Sequence, residues 1–592
     1  MTPCNLWTPT PLGRYSLYAL RETGCRFACL FGETDMPIRT HYRKRPRFIE
    51  PIPPRSLSIA RLIDVVGETL SSLWLPLLVF LVPLLCYWPV LQSGFVSDDY
   101  FYHATFTYKL SDFIKRIVEI RAGEIQFPFF RPVAIESFRL DYLLWGSDAV
   151  GFHFTSLLLH SLNAVLLFFF ARVIGLKRFG AAVCALVFGL YPLNPEAVTW
   201  ISGRFDVLAM TFLLAAFLAW SASRFSDDAR WMIPSVIAFM LAALSKENAV
   251  AGLAILPLID WALHSRTHRE WGQGIGWNWR WYVVFFAAAV SVIGFRVWLF
   301  GDLGGYWTEH NRSAYFAAHI SDTWRNFVLG DLWMLITPVN RILWPTWTVG
   351  LQSGFLIAGT LIGIGLVAAT ASASFAAAKI DIGPLVRTLL GILWILIMLL
   401  PVATLEGVKG SLDYSRFLYV PAAGLAIWIG VAVDTGWSSR RLVQLITVIL
   451  LVSALVLSGV ALRRHNATWI EAGRTAYRIH SVMETYTASV PRGTTIYTVN
   501  FPWLWKGAHC APLSYGGYVE FRHGITGVDT QVIRMEPEKV HDWWDAGSSK
   551  WDRPGIGFMW DGTTESVEVL PLFIPQPLSN ERLIEFLGHP PR

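Results

Sequence analysis

From Ser71 to Leu462 the chain repeats one pattern: apolar runs, separated by short polar segments, each near the roughly 20 residues a helix needs to cross a hydrocarbon core ~30 Å thick. A backbone in lipid has no water to bond, so such runs must fold as helices that satisfy their own N–H and C=O groups. Runs are read at 72–91, 153–173, 179–195, 204–222, 231–245, 248–264, 281–300, 351–375, 385–403, 417–434 and 442–462, about eleven spans. The repetition excludes a lone targeting helix. Only 16% of the 592 residues are charged against 54% hydrophobic, which also excludes an ordinary soluble domain. The expectation is an α-helical polytopic membrane protein with a small extracytoplasmic α/β C-terminal module.

Basic residues orient the spans. Residues 1–70 end in His41-Tyr42-Arg43-Lys44-Arg45-Pro46-Arg47, which the positive-inside rule places in the cytoplasm. Met36 is the expected true start, because the segment before it has neither signal-peptide anatomy nor helical periodicity. Arg172/Lys177/Arg178, Arg224/Arg230, His264–Arg280, Lys379/Arg387 and Arg440-Arg441 fall on that same side if the span count is odd, leaving the C-terminus outside. Residues 325–345, with Pro338 and Pro345, are read as re-entrant or interfacial, since another span there would reverse the later basic loops. A polar loop over 93–152 contains amphipathic patches at Leu110–Ile120 and Ala134–Leu144. The tail 463–592 has soluble composition, with a helix expected over Ala467–Val482 and a strand over Thr494–Val499. The net charge of +6 is modest and its Lys and Arg lie between apolar runs, so no nucleic-acid partner is inferred. Cys4, Cys25, Cys29, Cys86, Cys184 and Cys510 are too scattered for a disulfide framework.

On this topology most polar residues that interrupt the apolar pattern fall at one membrane face. The first span ends in Gly94-Phe95-Val96-Ser97-Asp98-Asp99-Tyr100, where one acid suits a general base and the other an acceptor-holding or pKa-tuning group, although Ser and Asp are also ordinary helix caps. Phe129-Phe130-Arg131-Pro132 sets a planar guanidinium at the surface, suited to phosphate, with headgroup snorkelling as the plainer reading. His153 follows in Gly151-Phe152-His153, and His160 and Asn163 read as interhelical glue. Asn194-Pro195-Glu196-Ala197-Val198-Thr199-Trp200-Ile201-Ser202-Gly203-Arg204-Phe205-Asp206 is dense in costly charge between two spans, and Ser245-Lys246-Glu247-Asn248 sits where there is almost no room for a soluble loop. Gly301-Asp302-Leu303-Gly304-Gly305 is a weaker signal, and Asp413-Tyr414-Ser415-Arg416 adds another guanidinium. Arg131, Arg204, Lys246 and Arg416 are thus candidate donor-phosphate ligands, with Glu196, Asp206, Glu247 and His153 shaping the site. One carboxylate pair without a matching second cluster makes no metal site, so no metal ligand is assigned; a divalent cation beside Asp98 and Asp99 stays open.

The ordered set Asp98-Asp99, Phe130-Arg131-Pro132-Val133, Gly151-Phe152-His153, Glu196-Ala197-Val198-Thr199-Trp200-Ile201-Ser202-Gly203-Arg204-Phe205-Asp206, Leu244-Ser245-Lys246-Glu247 and Ser415-Arg416-Phe417-Leu418-Tyr419-Val420-Pro421 resembles the GT-C superfamily of membrane glycosyltransferases, particularly its protein O-mannosyltransferase-like and TMTC-type members. Where TMTC-like proteins have His-Pro and a further His, this chain has Tyr191-Pro192 and Asn194, and the 463–592 module stands in place of tetratricopeptide repeats. The resemblance implies inverting hexosyl or pentosyl transfer from a polyprenyl-phosphate-linked sugar to a hydroxyl of a protein, glycan or lipid, among membrane lipids, with Asp98 or Asp99 as base. By analogy, the missing repeats point to a bacterial inner membrane with a periplasmic site. A transporter or flippase of lipid-linked or anionic solutes is the alternative, though such proteins favour repeated halves and mid-membrane charges. A scaffold reading would leave the charged face without purpose.

Overall fold

The computed structural model describes residues 73–103, 110–123, 129–226, 228–265, 279–305, 326–343 except 337, 339 and 341, 382–436 except 404 and 406, 441–511, 515–548 and 553–574. The expected span at 351–375, the Met36 start and the basic N-terminal stretch lie outside these residues.

Among the described residues, eight helices are long and apolar enough to cross a membrane: Trp74–Gln92, Ala149–Val173, Ile201–Phe225, Glu247–Ser265, Trp279–Phe300, Gly383–Val402, Ser415–Thr435 and Gln444–Thr487. Shorter apolar helices cover Arg178–Gly189 and Ala229–Ser245, where spans were also expected. The protein is a multi-pass integral membrane protein. The region read as re-entrant holds a π-helical stretch over Asn326–Leu332 and a turn of helix over Trp333–Ile336. The amphipathic patches are helices at Leu110–Ala122 and Pro132–Trp145. The second has Pro132 at its first position, where the missing N–H is no loss.

Local chemistry sets where these helices begin and how close they come. Asp148 caps the Ala149–Val173 helix by accepting from the Val150 N–H at 3.0 Å. Glycine lets helices touch by backbone: a Cβ on Gly391 would lie 2.8 Å from the Gly424 carbonyl oxygen, and one on Gly424 would lie 2.6 Å from that of Gly391. Across the same bundle His160 reaches the Tyr419 hydroxyl at 2.8 Å, and Asn163 donates to it at 3.1 Å and to the Val207 carbonyl at 2.9 Å. These two residues do act as interhelical glue.

The boundary expected at 462/463 is no break. One helix runs from Arg441 to Thr487, 47 residues or roughly 70 Å, about twice what a bilayer core can cover. Arg463, Arg464 and His465 change what the helix faces without giving it a reason to stop. Its far end becomes part of the C-terminal module. There Ile479 and Met483 pack with Ile496, Tyr515, Val519 and Phe558 on one face of a sheet, while Val540 and Trp544 cover Tyr497, Val499 and Leu570 on the other. The sheet order is β4-β1-β5-β6, with β1 (Thr495–Val499) parallel to β4 (Asp529–Ile533) and to β5 (Gly555–Asp561), and β6 (Ser566–Phe573) antiparallel at the edge. Every residue of β1 is buried, as a central parallel strand covered on both faces requires. A small hairpin, β2 (Leu504–Trp505) and β3 (Ala508–His509), leaves the end of β1 and returns towards the membrane helices.

The backbone contact between Gly391 and Gly424 yields a test. Gly391→Val should cost about 1–3 kcal/mol, as overpacked interiors do, and lower the thermal midpoint of the detergent-solubilised protein. Gly294→Ala, where a Cβ meets nothing within 4 Å, should leave the midpoint unchanged or raise it.

Candidate active site

The loops that join the helices at one end bring the sequence-predicted residues together, but not as a row of free cations. The two adjacent acids are placed quite differently. Ser97, just before the pair, holds φ at +48°, a strained value for a residue with a Cβ. Asp99 is buried; one carboxylate oxygen accepts from the Ser202 N–H at 2.9 Å and from its hydroxyl at 2.5 Å, and the other from the Val96 N–H at 3.0 Å. Burial pushes its pKa up to about 7, against the pull of those donors. Asp98 is half-buried, and among the described residues its carboxylate makes no hydrogen bond or ion pair. Burial raises its pKa, while the nearby His509 and Arg416 act to lower it.

Glu196 and Arg416 form the centre of this end. One Glu196 oxygen accepts from the Ser415 hydroxyl at 3.0 Å and from the Arg416 N–H at 2.9 Å; the other takes the Arg416 guanidinium. Burial alone would raise the Glu196 pKa, but Arg416 and His509 outweigh it and hold the group at about 2. The guanidinium also lies against the rings of Trp200 and Phe417, at 5.2 and 4.9 Å from their centroids.

The remaining predicted cations are buried and matched. Arg204, with no exposed surface, pairs with Asp141 at 2.5 Å and donates to the Ser156 hydroxyl at 3.0 Å and the Phe152 carbonyl. Arg131 makes a two-pronged pair with Glu247 at 2.7 and 3.0 Å, and Arg296 approaches the same carboxylate at 3.8 Å. Lys246 holds both oxygens of Asp206 at 2.5 and 2.6 Å. Arg204, expected as a phosphate ligand, has its donors facing carboxylate, hydroxyl and carbonyl within the protein. Arg131 and Lys246 likewise each carry a carboxylate partner, Glu247 and Asp206. His153 is buried among the backbones of Ser93, Gly94 and Thr199, away from any open surface.

Asp413, quoted in sequence only as a neighbour of Arg416, and His509, without a signal there, also lie at this end. Asp413 lies between Leu412 and Tyr414, both with positive φ (+67° and +69°), so the strained loop presents its side chain inward. His509 arrives from the C-terminal hairpin. Its ring stacks on Trp200 with centroids 4.3 Å apart, and its Nε2 stands 3.6 Å from both Glu196 Oε1 and Asp413 Oδ1. The hairpin is fastened to the membrane domain by the Ser97 N–H donating to the Cys510 carbonyl at 3.0 Å and by the Asn340 amide donating to the Lys506 carbonyl at 3.1 Å. Gly507, at φ +95°, allows an approach to the Ser411 carbonyl that would put a Cβ within 2.0 Å of it. A lone His in the tail, far along the chain from both Glu196 and Asp413, leaves no periodic signal. Among the described residues the metal-ligand types that share one small space are therefore Glu196, Asp413 and His509, and not the Asp98-Asp99 pair.

No family model matches the chain. Curated proteins do: the O-mannosyl-transferase Tmtc1 of Drosophila melanogaster is 30% identical over 131 residues, 22% of this chain and 15% of that protein. TMTC3 of Mus musculus is 30% identical over 183 residues, 29% and 20% of the two chains. TMTC4 of the same species is 24% identical over 242 residues, 34% and 31%. These stretches of the chain are similar to TMTC proteins. The chain's matches span from 15% to 31% of the length of these TMTC relatives. The solved structure of ArnT from Cupriavidus metallidurans bound to undecaprenyl phosphate overlays 82% of this chain and 93% of its own at 15% identity and TM-score 0.40, too loose to place residues.

Two consequences of this geometry are open to measurement. Arg204→Met or Asp141→Leu alone should lower stability by about 3–5 kcal/mol, each leaving a buried charge unpaired, while the double variant should recover most of the loss; unfolding midpoints of all three in detergent complete the cycle. Asp99→Asn replaces an acceptor by a donor facing the Val96 or Ser202 N–H and should cost at least about 1–3 kcal/mol, whereas Asp98→Asn should leave the midpoint within about 0.5 kcal/mol of wild type.

Proposed function

We propose that this chain is an inverting glycosyltransferase that moves a sugar from a polyprenyl-phosphate-linked donor to a hydroxyl acceptor, with Asp98 as the general base. The observation that carries the reading is the contrast between the neighbouring acids: Asp99 is fully engaged by Ser202 and Val96, while Asp98 keeps a carboxylate without a hydrogen-bond partner beside Arg416 and His509. The similarity to TMTC O-mannosyltransferases supports it.

In this mechanism the acceptor hydroxyl gives its proton to Asp98 as its oxygen bonds to the anomeric carbon. The bond from that carbon to the donor phosphate oxygen breaks, and the electron pair leaves with the phosphate, which needs no proton. Negative charge collects on the departing lipid phosphate, and Arg416 is the cation placed to meet it, because Asp98 feels its field directly. Lys246 and Arg131 act through the carboxylates they hold. The basic residues Arg172, Lys177, Arg178, Arg224 and Arg230 lie at the opposite helix ends from this site, which supports an extracytoplasmic face. We assign the membrane as a bacterial inner membrane, a placement that membrane fractionation of the native cell checks.

The experiment is transfer of label from radioactive polyprenyl-phosphate sugars to a cell-envelope acceptor fraction by membranes carrying wild type or Asp98→Asn. Transfer should fall by about 10²–10⁴-fold in the variant at equal levels of folded protein. Because burial raises the Asp98 pKa and the base works unprotonated, the rate should decline on acidification at a pH above the ordinary carboxylate range. Undiminished transfer by Asp98→Asn would remove Asp98 as base. Movement of labelled lipid without its consumption would make the protein a flippase.

A further inference from the structure

We propose that Glu196, Asp413 and His509 bind a single divalent transition-type cation, Zn²⁺ or Mn²⁺, and that the C-terminal module closes this site by supplying the imidazole. The proposal stands apart from the transfer reading and does not depend on it.

Geometry is the first argument. His509 Nε2 lies 3.6 Å from Glu196 Oε1 and 3.6 Å from Asp413 Oδ1, and the three ligand-type atoms lie within 4.8 Å of one another. A tetrahedral ion with ligands at about 2.0–2.1 Å separates them by roughly 3.3 Å, so small side-chain rotations close the site. The spacings are too long for hydrogen bonds and suit three atoms around a common centre.

Unpaired polar atoms are the second argument. His509 and Asp413 are more than nine-tenths buried, yet neither ring nitrogen of His509 has a hydrogen bond, and Asp413 Oδ1 has none. A buried polar atom without a partner costs about 1–3 kcal/mol, and His509 Nε2 and Asp413 Oδ1, 3.6 Å apart, are two that one shared occupant would satisfy. The imidazole is held from the side by its stack on Trp200, which leaves the ring edge facing the carboxylates.

Charge is the third. Asp98, Glu196 and Asp413 bring three carboxylates to this pocket, where Arg416 and His509 act on all three and Lys409 also acts on Asp413. With His509 neutral, as a metal ligand must be, the carboxylates outnumber the cations around them, which favours a cation among them. Glu196 already serves Arg416 through Oε1, but a carboxylate oxygen has a second lone pair for a metal. One imidazole with two carboxylates favours Zn²⁺ or Mn²⁺ over Mg²⁺ or Ca²⁺, which prefer all-oxygen shells. Three protein ligands leave a further position for water or a substrate oxygen.

The test uses the full-length protein in detergent, stripped with a chelator and then titrated with Zn²⁺, Mn²⁺ and, as a spectroscopic probe, Co²⁺. Wild type should take up one ion per chain, raise its thermal midpoint with ion concentration, and give Co²⁺ d–d bands of a nitrogen- and oxygen-ligated site. His509→Ala and Asp413→Asn should each weaken binding at least tenfold, and His541→Ala, on the exposed face of the module, should not. If His509→Ala fails to fold, His509→Gln and Asp413→Asn carry the comparison. The proposal is overturned if wild type takes up no stoichiometric ion. It is equally overturned if the His509 and Asp413 variants bind as wild type does, or if uptake is lost in His480→Ala, which would move the ion to the His480–Glu484–His523 group.

Discussion

The pairing of Glu196 with Arg416 is the contact on which this end of the molecule depends. A guanidinium or carboxylate buried at the edge of a helical bundle is tolerated only when each answers the other and the leftover lone pairs are bonded. Glu196 meets both conditions, since its oxygens take the Arg416 guanidinium, the Arg416 N–H and the Ser415 hydroxyl. The pair therefore ties the loop after the Arg178–Gly189 helix to the first turn of the Ser415–Thr435 span. Trp200 and Asp413 are carried into place by the same two segments, and His509 can only dock once they are there.

Other ion pairs extend this order outward, and backbone conformation decides who pairs with whom. Lys246 is extended, with φ −155° and ψ 130°, between an α-helix ending at Ser245 and a 3₁₀ segment over Glu247–Ile255. Consecutive side chains therefore diverge: Lys246 turns to Asp206, and Glu247 to Arg131 and Arg296. A continuous α-helix would have left the two about 100° apart on one surface, unable to reach separate helices. The break in the span is thus what lets one dipeptide lock two neighbouring helices, and it explains why charge was found where no soluble loop fits.

Much of this was legible in sequence. Apolar run length located the spans, since burial in lipid leaves few alternatives, and the polar interruptions located the functional end. What sequence did not carry was pairing. Arg131, Arg204, Lys246 and Arg416 look alike as charges in a motif, and only the fold distinguishes Arg204, sealed against Asp141, from Arg416, whose field reaches Asp98. The same holds for Asp98 and Asp99. Adjacent identical residues are interchangeable in a string, but the fold sets the Ser202 and Val96 donors around Asp99 and none of them at Asp98. The helix boundary at 462 was misplaced for a related reason: composition changes there, whereas helical propensity does not.

The C-terminal module then has a definite part in the architecture. The long helix ending at Thr487 is rigid over both halves, so the sheet it anchors is held at a set height above the membrane helices. From the end of β1 the hairpin reaches back and is fixed at Ser97, Asn340 and Ser411, each on a different membrane-domain segment. Three attachments determine a rigid placement, and strained residues lie at or beside two of them, Ser97 itself and Leu412 next to Ser411. Strain of that kind persists only where surrounding contacts over-determine it. The hairpin therefore holds Ser97 and the Ser411–Leu412 turn, the backbone just before Asp98 and just before Asp413. The module is thus part of the site's construction and not an appendage to it.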